Sequence, residues 1–136
     1  MVFEVDKQAE FIEKIREDSF SSLLGIDILE ARPGYARASL LIGKSMVNFQ
    51  GNTHGGAICA LADTACGAAS NSPGQTSAGL SLNVSFLKAT QLGATLTAIA
   101  EEVNKTRRTA LYRVTVHNER DDLVAVASGI AYIKSL

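Results

Sequence analysis

The stretch Gly55–Ser70 reads GGAICALADTACGAAS. Alanine, isoleucine, leucine, cysteine and glycine lie on every side of a 3.6-residue period, so no polar face remains. The segment predicts a helix that the rest of the protein must enclose, and its small side chains let a sheet curl closely about it. Asn71, Ser72, Pro73 and Gly74 then stop it. It is too short and too often interrupted to cross a bilayer, which takes about 20 apolar residues.

C-terminal to this helix the sequence alternates. Leu80, Leu82, Val84 and Phe86 face one way and Ser81, Asn83 and Ser85 the other. Ala94, Leu96, Ala98 and Ala100 repeat the pattern, as do Ala110, Tyr112, Val114 and Val116, and residues 123–133 supply a last, more continuously apolar strand. The breaks at 89–93, 104–107 and 118–122 are short enough for antiparallel hairpins. On the N-terminal side, residues 26–32 and 35–42 read as two strands joined by the Pro33-Gly34 turn. Before them Phe11, Ile12, Ile15, Phe20, Leu23 and Leu24 predict an amphipathic helix over residues 6–24, broken near 19–22 and ended by Gly25. Residues 43–54 form a long polar loop without periodicity. The order helix, two strands, buried helix, four strands predicts an α+β fold, with about six antiparallel strands wrapped around a central helix.

The chain of 136 residues suits one domain, spanning 1–136, with the N-terminal helix at 1–24 and the central helix at 55–70. Thirteen Lys and Arg against fourteen Asp and Glu give a net charge of -1, which offers no field to hold nucleic acid or an anionic membrane. The first twenty residues mix acids and bases, unlike a signal or transit peptide. Cys59 and Cys66 fall about 10 Å apart along the helix, beyond disulfide reach, so free thiols in a reducing cytoplasm are expected.

Asp63 is the one carboxylate on the apolar helix. A desolvated carboxylate gains proton affinity, which suits a general base or nucleophile near neutral pH; a cap, an ion pair or a helix edge open to solvent would explain it without chemistry. Residues 48–56, NFQGNTHGG, lead into the helix. The first amides of a helix lack internal partners, and Gly55 and Gly56 would let a ligand atom approach them as an oxyanion hole; a flexible helix entry capped by Asn52 or Thr53 is the alternative. Eight residues separate Gly55 from Asp63, about 12 Å along a helix, whereas one reacting carbon must meet both groups. A catalytic reading therefore requires a homodimer, with Asp63 donated by the second subunit across antiparallel central helices. His54 either orients a carbonyl or serves the helix entry. Cys59, Asp63 and Cys66 share one helical face, but one helix supplies only three ligands, so no metal is expected. Lys105, Arg107 and Arg108 cluster at a strand junction, either as a solvated hairpin end or as a grip on phosphate.

The residues Asn48, His54-Gly55-Gly56 and Asp63 carry the pattern N-x5-HGG-x6-D. With it the chain resembles hotdog-fold acyl-CoA thioesterases of the phenylacetic-acid-degradation (PaaI-like) family over roughly residues 23–133. The resemblance implies the fold inferred above, dimers paired into tetramers, and hydrolysis of an acyl-CoA thioester with no metal and no cofactor beyond the coenzyme A of the substrate. It makes Asp63 the carboxylate that activates water or attacks the thioester and the Gly55 amide the group that polarises the carbonyl. Asn48 would place the water or carbonyl, with His54 in support. Gly56, Gly79 and Ser81 would border the substrate, and Lys105, Arg107 and Arg108 the nucleotide of coenzyme A. Some relatives carry serine or threonine where Gly79 stands, so Ser77, Thr76 or Ser81 becomes the candidate substitute. A non-catalytic acyl-CoA sensor is the rival from another class; a dehydratase would need a catalytic histidine paired with its acid, and no such arrangement is visible.

Overall fold

In the computed structural model the backbone is described for residues 2–135 and the side chains for residues 7–134; Met1 and Leu136, the ends of the expected single-domain span, lie outside. The elements run α1 (Val2–Ile15), α2 (Ser19–Leu24), β1 (Asp27–Arg32), β2 (Tyr35–Leu41), a 3-10 turn (Lys44–Met46), α3 (Gly55–Ser70), β3 (Thr76–Phe86), β4 (Thr95–Lys105), β5 (Thr109–His117) and β6 (Leu123–Ser135). The strands form one antiparallel sheet in the order β1-β2-β4-β5-β6-β3. All six pack against α3, which a flat sheet cannot do with one helix, so the sheet curls around it as expected.

Small residues make the curl possible. Ala36 pairs with Ala100, Ala100 with Val114 and Val114 with Ala127, a row of short side chains running across four strands beneath α3. On the helix, Leu61, Ala62 and Ala65 are fully buried against that surface. At β6 the approach is closer still: a Cβ on Gly129 would come within 3.0 Å of the Cys66 sulfur. Gly34, at φ 81°, makes the Pro33-Gly34 turn, and its N–H donates to the Ala69 carbonyl, tying the turn to the end of α3.

Four expectations change. The N-terminal helix breaks at residues 16–18 rather than 19–22, because the Asp18 carboxylate accepts from the Ser21 N–H and starts α2 as a separate helix. The 43–54 loop is ordered by the 3-10 turn, by the Val47–Thr53 bridge and by the buried Thr53–Thr90 hydroxyl pair at 2.7 Å. β3 begins at Thr76 and carries a bulge at Leu80, which turns that side chain outward to 61% exposure instead of into the core. The fourth concerns α3: it is not enclosed on every side. Gly56 and Asp63 are exposed and Cys59, Ala60, Cys66 and Gly67 half-buried, one stripe at helical spacing that this chain leaves open.

The two sheet edges differ. β1 is covered by α1, whose Gln8 side chain accepts from the Ala31 N–H at 3.3 Å. No element pairs with the outer side of β3 among the described residues.

Candidate active site

The entry to α3 is built by its own loop. The Asn48 side-chain oxygen accepts from the N–H groups of Gln50 and Asn52, at 3.0 and 3.1 Å, and closes a tight turn. Its amide nitrogen makes no hydrogen bond among the described residues. The His54 N–H donates to the Met46 carbonyl at 2.7 Å. His54 itself is the N-cap, in place of Asn52 or Thr53: its Nδ1 accepts from the Gly56 N–H at 2.8 Å, which assigns the proton of the neutral ring to Nε2.

This cap divides the two glycines. The Gly56 N–H is consumed by His54, so Gly56 does not offer a ligand an amide. The Gly55 N–H has no partner among the described residues and points outward at the positive end of the helix dipole. Gly55 and Asn48 line one groove of about 360 Å³, together with Phe86 and Thr90. The Phe86 ring closes over Gly55, where an added Cβ would lie 3.2 Å from it.

Asp63 borders neither that groove nor its residues. It stands on the open stripe of α3, exposed on one side, at the meeting of two other cavities. One is a groove of about 850 Å³ between α1 and α3, which also reaches Asp18, Thr76 and Gln75. The other, of about 140 Å³, lies between α3 and the β3–β6 pair and is bordered by Gly79, Ser81, Cys66 and Tyr112. Burial on its protein side, and secondarily the charge of Asp18, raise the Asp63 carboxyl above the ordinary aspartate value. Burial first, and then Asp63, push up the neighbouring thiols, that of Cys66 to about 12. Both cysteines are free, and among the described residues no three His, Cys, Asp or Glu side chains are grouped to hold a metal ion.

Of the other residues read from the sequence, Gly79 and Ser81 flank the Leu80 bulge and both face the Asp63 cavity. The position of Gly79 is roomy, with nothing within 4 Å of an added Cβ. Ser81 keeps a free hydroxyl among the described residues. The Ser77 hydroxyl is committed to Ser70, 2.7 Å from its Oγ and 3.0 Å from its carbonyl, and so is a poor substitute for the hydroxyl absent at Gly79. Lys105 donates to the Gln75 side chain at 2.6 Å, on the rim of the α1–α3 groove, while the exposed Arg107 and Arg108 border neither cavity of Asp63.

Three contributors escaped the sequence reading. The Ser21 hydroxyl bonds both the Asp18 carboxylate and the Thr64 hydroxyl, 3.1 Å away, and so ties α2 to α3 one residue from Asp63. Asp18 followed by Ser21 is a helix-start pattern that could have been found. Thr90, under the loop, and the Tyr112 hydroxyl, under Asp63, leave no such local signal.

An antiparallel sheet curled round one long helix, with a free amide and an amide side chain at the helix entry and a carboxylate two turns on, defines a hotdog-fold enzyme. Residues 50–125 match the family model described as Thioesterase superfamily. The chain belongs to that family, within its PaaI-like branch. It is 34% identical over 131 residues to a putative esterase of Archaeoglobus fulgidus, covering 93% of this chain and 85% of the relative. It is 32% identical over 112 residues to the acyl-coenzyme A thioesterase PaaI of Escherichia coli, covering 82% and 80%. The structure of the E. coli PaaI protein superposes with a TM-score of 0.88 at 30% identity over 93% of each chain. A hypothetical thioesterase of Streptococcus pneumoniae solved with coenzyme A gives 0.83 at 26% identity, over 91% of this chain and 97% of that one. No helix among the described residues is long and apolar enough to cross a membrane.

Proposed function

We propose that the protein hydrolyses a small or medium acyl- or aryl-CoA thioester to the free acid and coenzyme A, in the cytoplasm, at sites shared between two subunits. The observation that carries this reading is the division of labour along α3. The free Gly55 N–H and the free Asn48 amide occupy one groove, and the carboxylate with raised proton affinity occupies another. Along one helix they stand about 12 Å apart, so a common substrate needs Asp63 from one subunit and Gly55 from the other. The open stripe of α3, the unpaired β3 edge and the outward Leu80 favour such an association.

The chemistry follows from the groups. Asp63 takes a proton from water as the water oxygen bonds to the thioester carbon. The charge that develops on the carbonyl oxygen is held by the Gly55 N–H and the α3 dipole, with the Asn48 amide beside them. The C–S bond then breaks, the proton held by Asp63 passes to the departing thiolate, and acid and coenzyme A are released. The coenzyme A bound by the streptococcal neighbour supports this substrate class. Lys105 and the unpaired guanidinium groups of Arg107 and Arg108 supply positive charge for its phosphates.

The test is release of free thiol from a panel of aliphatic and aryl CoA esters by the wild type and by Asp63→Asn. Hydrolysis that falls at least about a hundredfold in the variant is expected. Near-normal turnover by the variant removes Asp63 from the mechanism; no hydrolysis of any ester, with CoA esters still raising the melting temperature, makes the protein a binding module.

A further inference from the structure

The small cavity beside Asp63 contains a group that the reaction above leaves idle. Tyr112 reaches into it from β5 with 1% of its surface exposed, and its hydroxyl is a buried polar atom without a hydrogen-bond partner among the described residues. Burial, and then the charge of Glu102, push its pKa to about 12, so the phenol keeps a proton to donate. Glu102 is its cross-strand neighbour, near enough to act on that charge, yet no hydrogen bond joins them. A buried hydroxyl in a native fold is almost always satisfied, and where the protein offers no acceptor, water does.

The cavity suits water. Its volume is about 140 Å³, against the roughly 10–15 Å³ that one water molecule needs. Its wall is largely polar: the Asp63 carboxylate at one end, the Ser81 hydroxyl on the side, and Tyr112 within. An apolar acyl group seated there would strand the phenol, whereas water satisfies it. Asp63 also needs help: a water held by one carboxylate has one partner, while ordered waters make two to four hydrogen bonds. Gly79, on the cavity wall, has no hydroxyl to add.

We propose that Tyr112 is a positioning residue, whose hydroxyl anchors a short file of water molecules in this cavity and so presents the hydrolytic water to Asp63 from the protein side while the thioester covers the other. This rests on the reading of Asp63 as the base. Tyr112 touches no reacting atom; it acts through the waters it holds.

Tyr112→Phe keeps the ring and removes only the anchor. The expected result is an unchanged or higher melting temperature, an unchanged KM, and a kcat lower by roughly ten- to a hundredfold. Gly79→Ser, for which there is open space, should restore part of that loss in the Tyr112→Phe background by giving the cavity a hydroxyl again. A high-resolution crystal structure of the wild type should show water on the Tyr112 oxygen, continuing toward Asp63. A wild-type kcat in Tyr112→Phe, a change in KM alone, a dry cavity, or a phenol bonded to Glu102 overturns the proposal. Should Tyr112→Phe fail to fold, the wild-type crystal structure alone decides. Asp63→Asn assayed alongside separates the two readings: if it is inactive while Tyr112→Phe is normal, only the water file falls, and if it is active the base itself is wrong.

Discussion

Asp63 was legible because it is the sole carboxylate in a stretch otherwise made of small apolar residues, and such a position has few neutral explanations. Its surroundings were less so. The groups that set its proton affinity are its partial burial and, next, Asp18, which lies 45 positions earlier and comes close only because Asp18 caps α2 against α3. This makes a prediction about pH. The base must be ionised, so kcat/KM falls on the acid side through the Asp63 pKa, which stands above the ordinary aspartate value. Asp18→Asn keeps an oxygen to cap α2 and removes the charge; it therefore lowers the Asp63 pKa and moves the acid limb to lower pH. A limb that does not move, measured on well-folded protein, would show that the Asp18 charge does not reach the base. The other residue-scale surprise, His54 as the N-cap, was hidden because serine, threonine, aspartate and asparagine are the usual caps. The fate of the Tyr112 hydroxyl depends on what two neighbouring strands bring to it, which no local pattern records.

At the scale of elements, the helix and the strands followed from periodicity, and the misreadings fall where a neighbouring segment overrides it. The alternation through Leu80 put that side chain inside, but the bulge against β6 shifts the register by one residue and turns it out. Two glycines in sequence looked equivalent at the head of α3, yet the cap spends one amide and leaves the other free. That difference can be isolated. Gly55 is the first helical residue, where proline is well tolerated, and His54 at φ -63° and ψ 134° already has the backbone that precedes a proline. Gly55→Pro thus deletes the free N–H and leaves the helix standing, while both Gly55→Pro and Gly55→Ala add the Cβ that presses on Phe86. Helical content should be the same in both variants. Turnover should be about a hundred- to a thousandfold lower in the proline variant than in the alanine variant, the usual cost of removing one oxyanion donor. Equal rates would mean that the Gly55 amide takes no part and that any loss comes from the displaced ring.

At the scale of the whole molecule, one helix serving as both core and active-site wall explains why a single chain is incomplete. The sheet wraps α3 from one side and leaves the stripe from Gly56 to Gly67 uncovered, beside an unpaired edge strand of 11 residues. A chain with an apolar helix at its centre has every reason to bury that stripe, and a two-fold copy is the cover that also brings Asp63 to the opposite Gly55. The sequence alone allowed the inference that one chain could not supply both groups, because the distance along a helix is fixed; which surfaces meet was not legible, since it depends on what the sheet leaves open. The arrangement has a consequence that a site within one chain lacks. Asp63→Asn and Gly55→Pro, each inactive alone, are mixed, dissociated and allowed to reassociate. If the sites are shared, half the dimers are hybrids in which one site carries both defects and the other carries none, so about a quarter of wild-type thiol release returns. If each site lies within its own chain, every site in the mixture holds one defect and no activity returns at any ratio. Light scattering on the same samples confirms that reassociation took place, so a silent mixture of intact dimers would be decisive against shared sites.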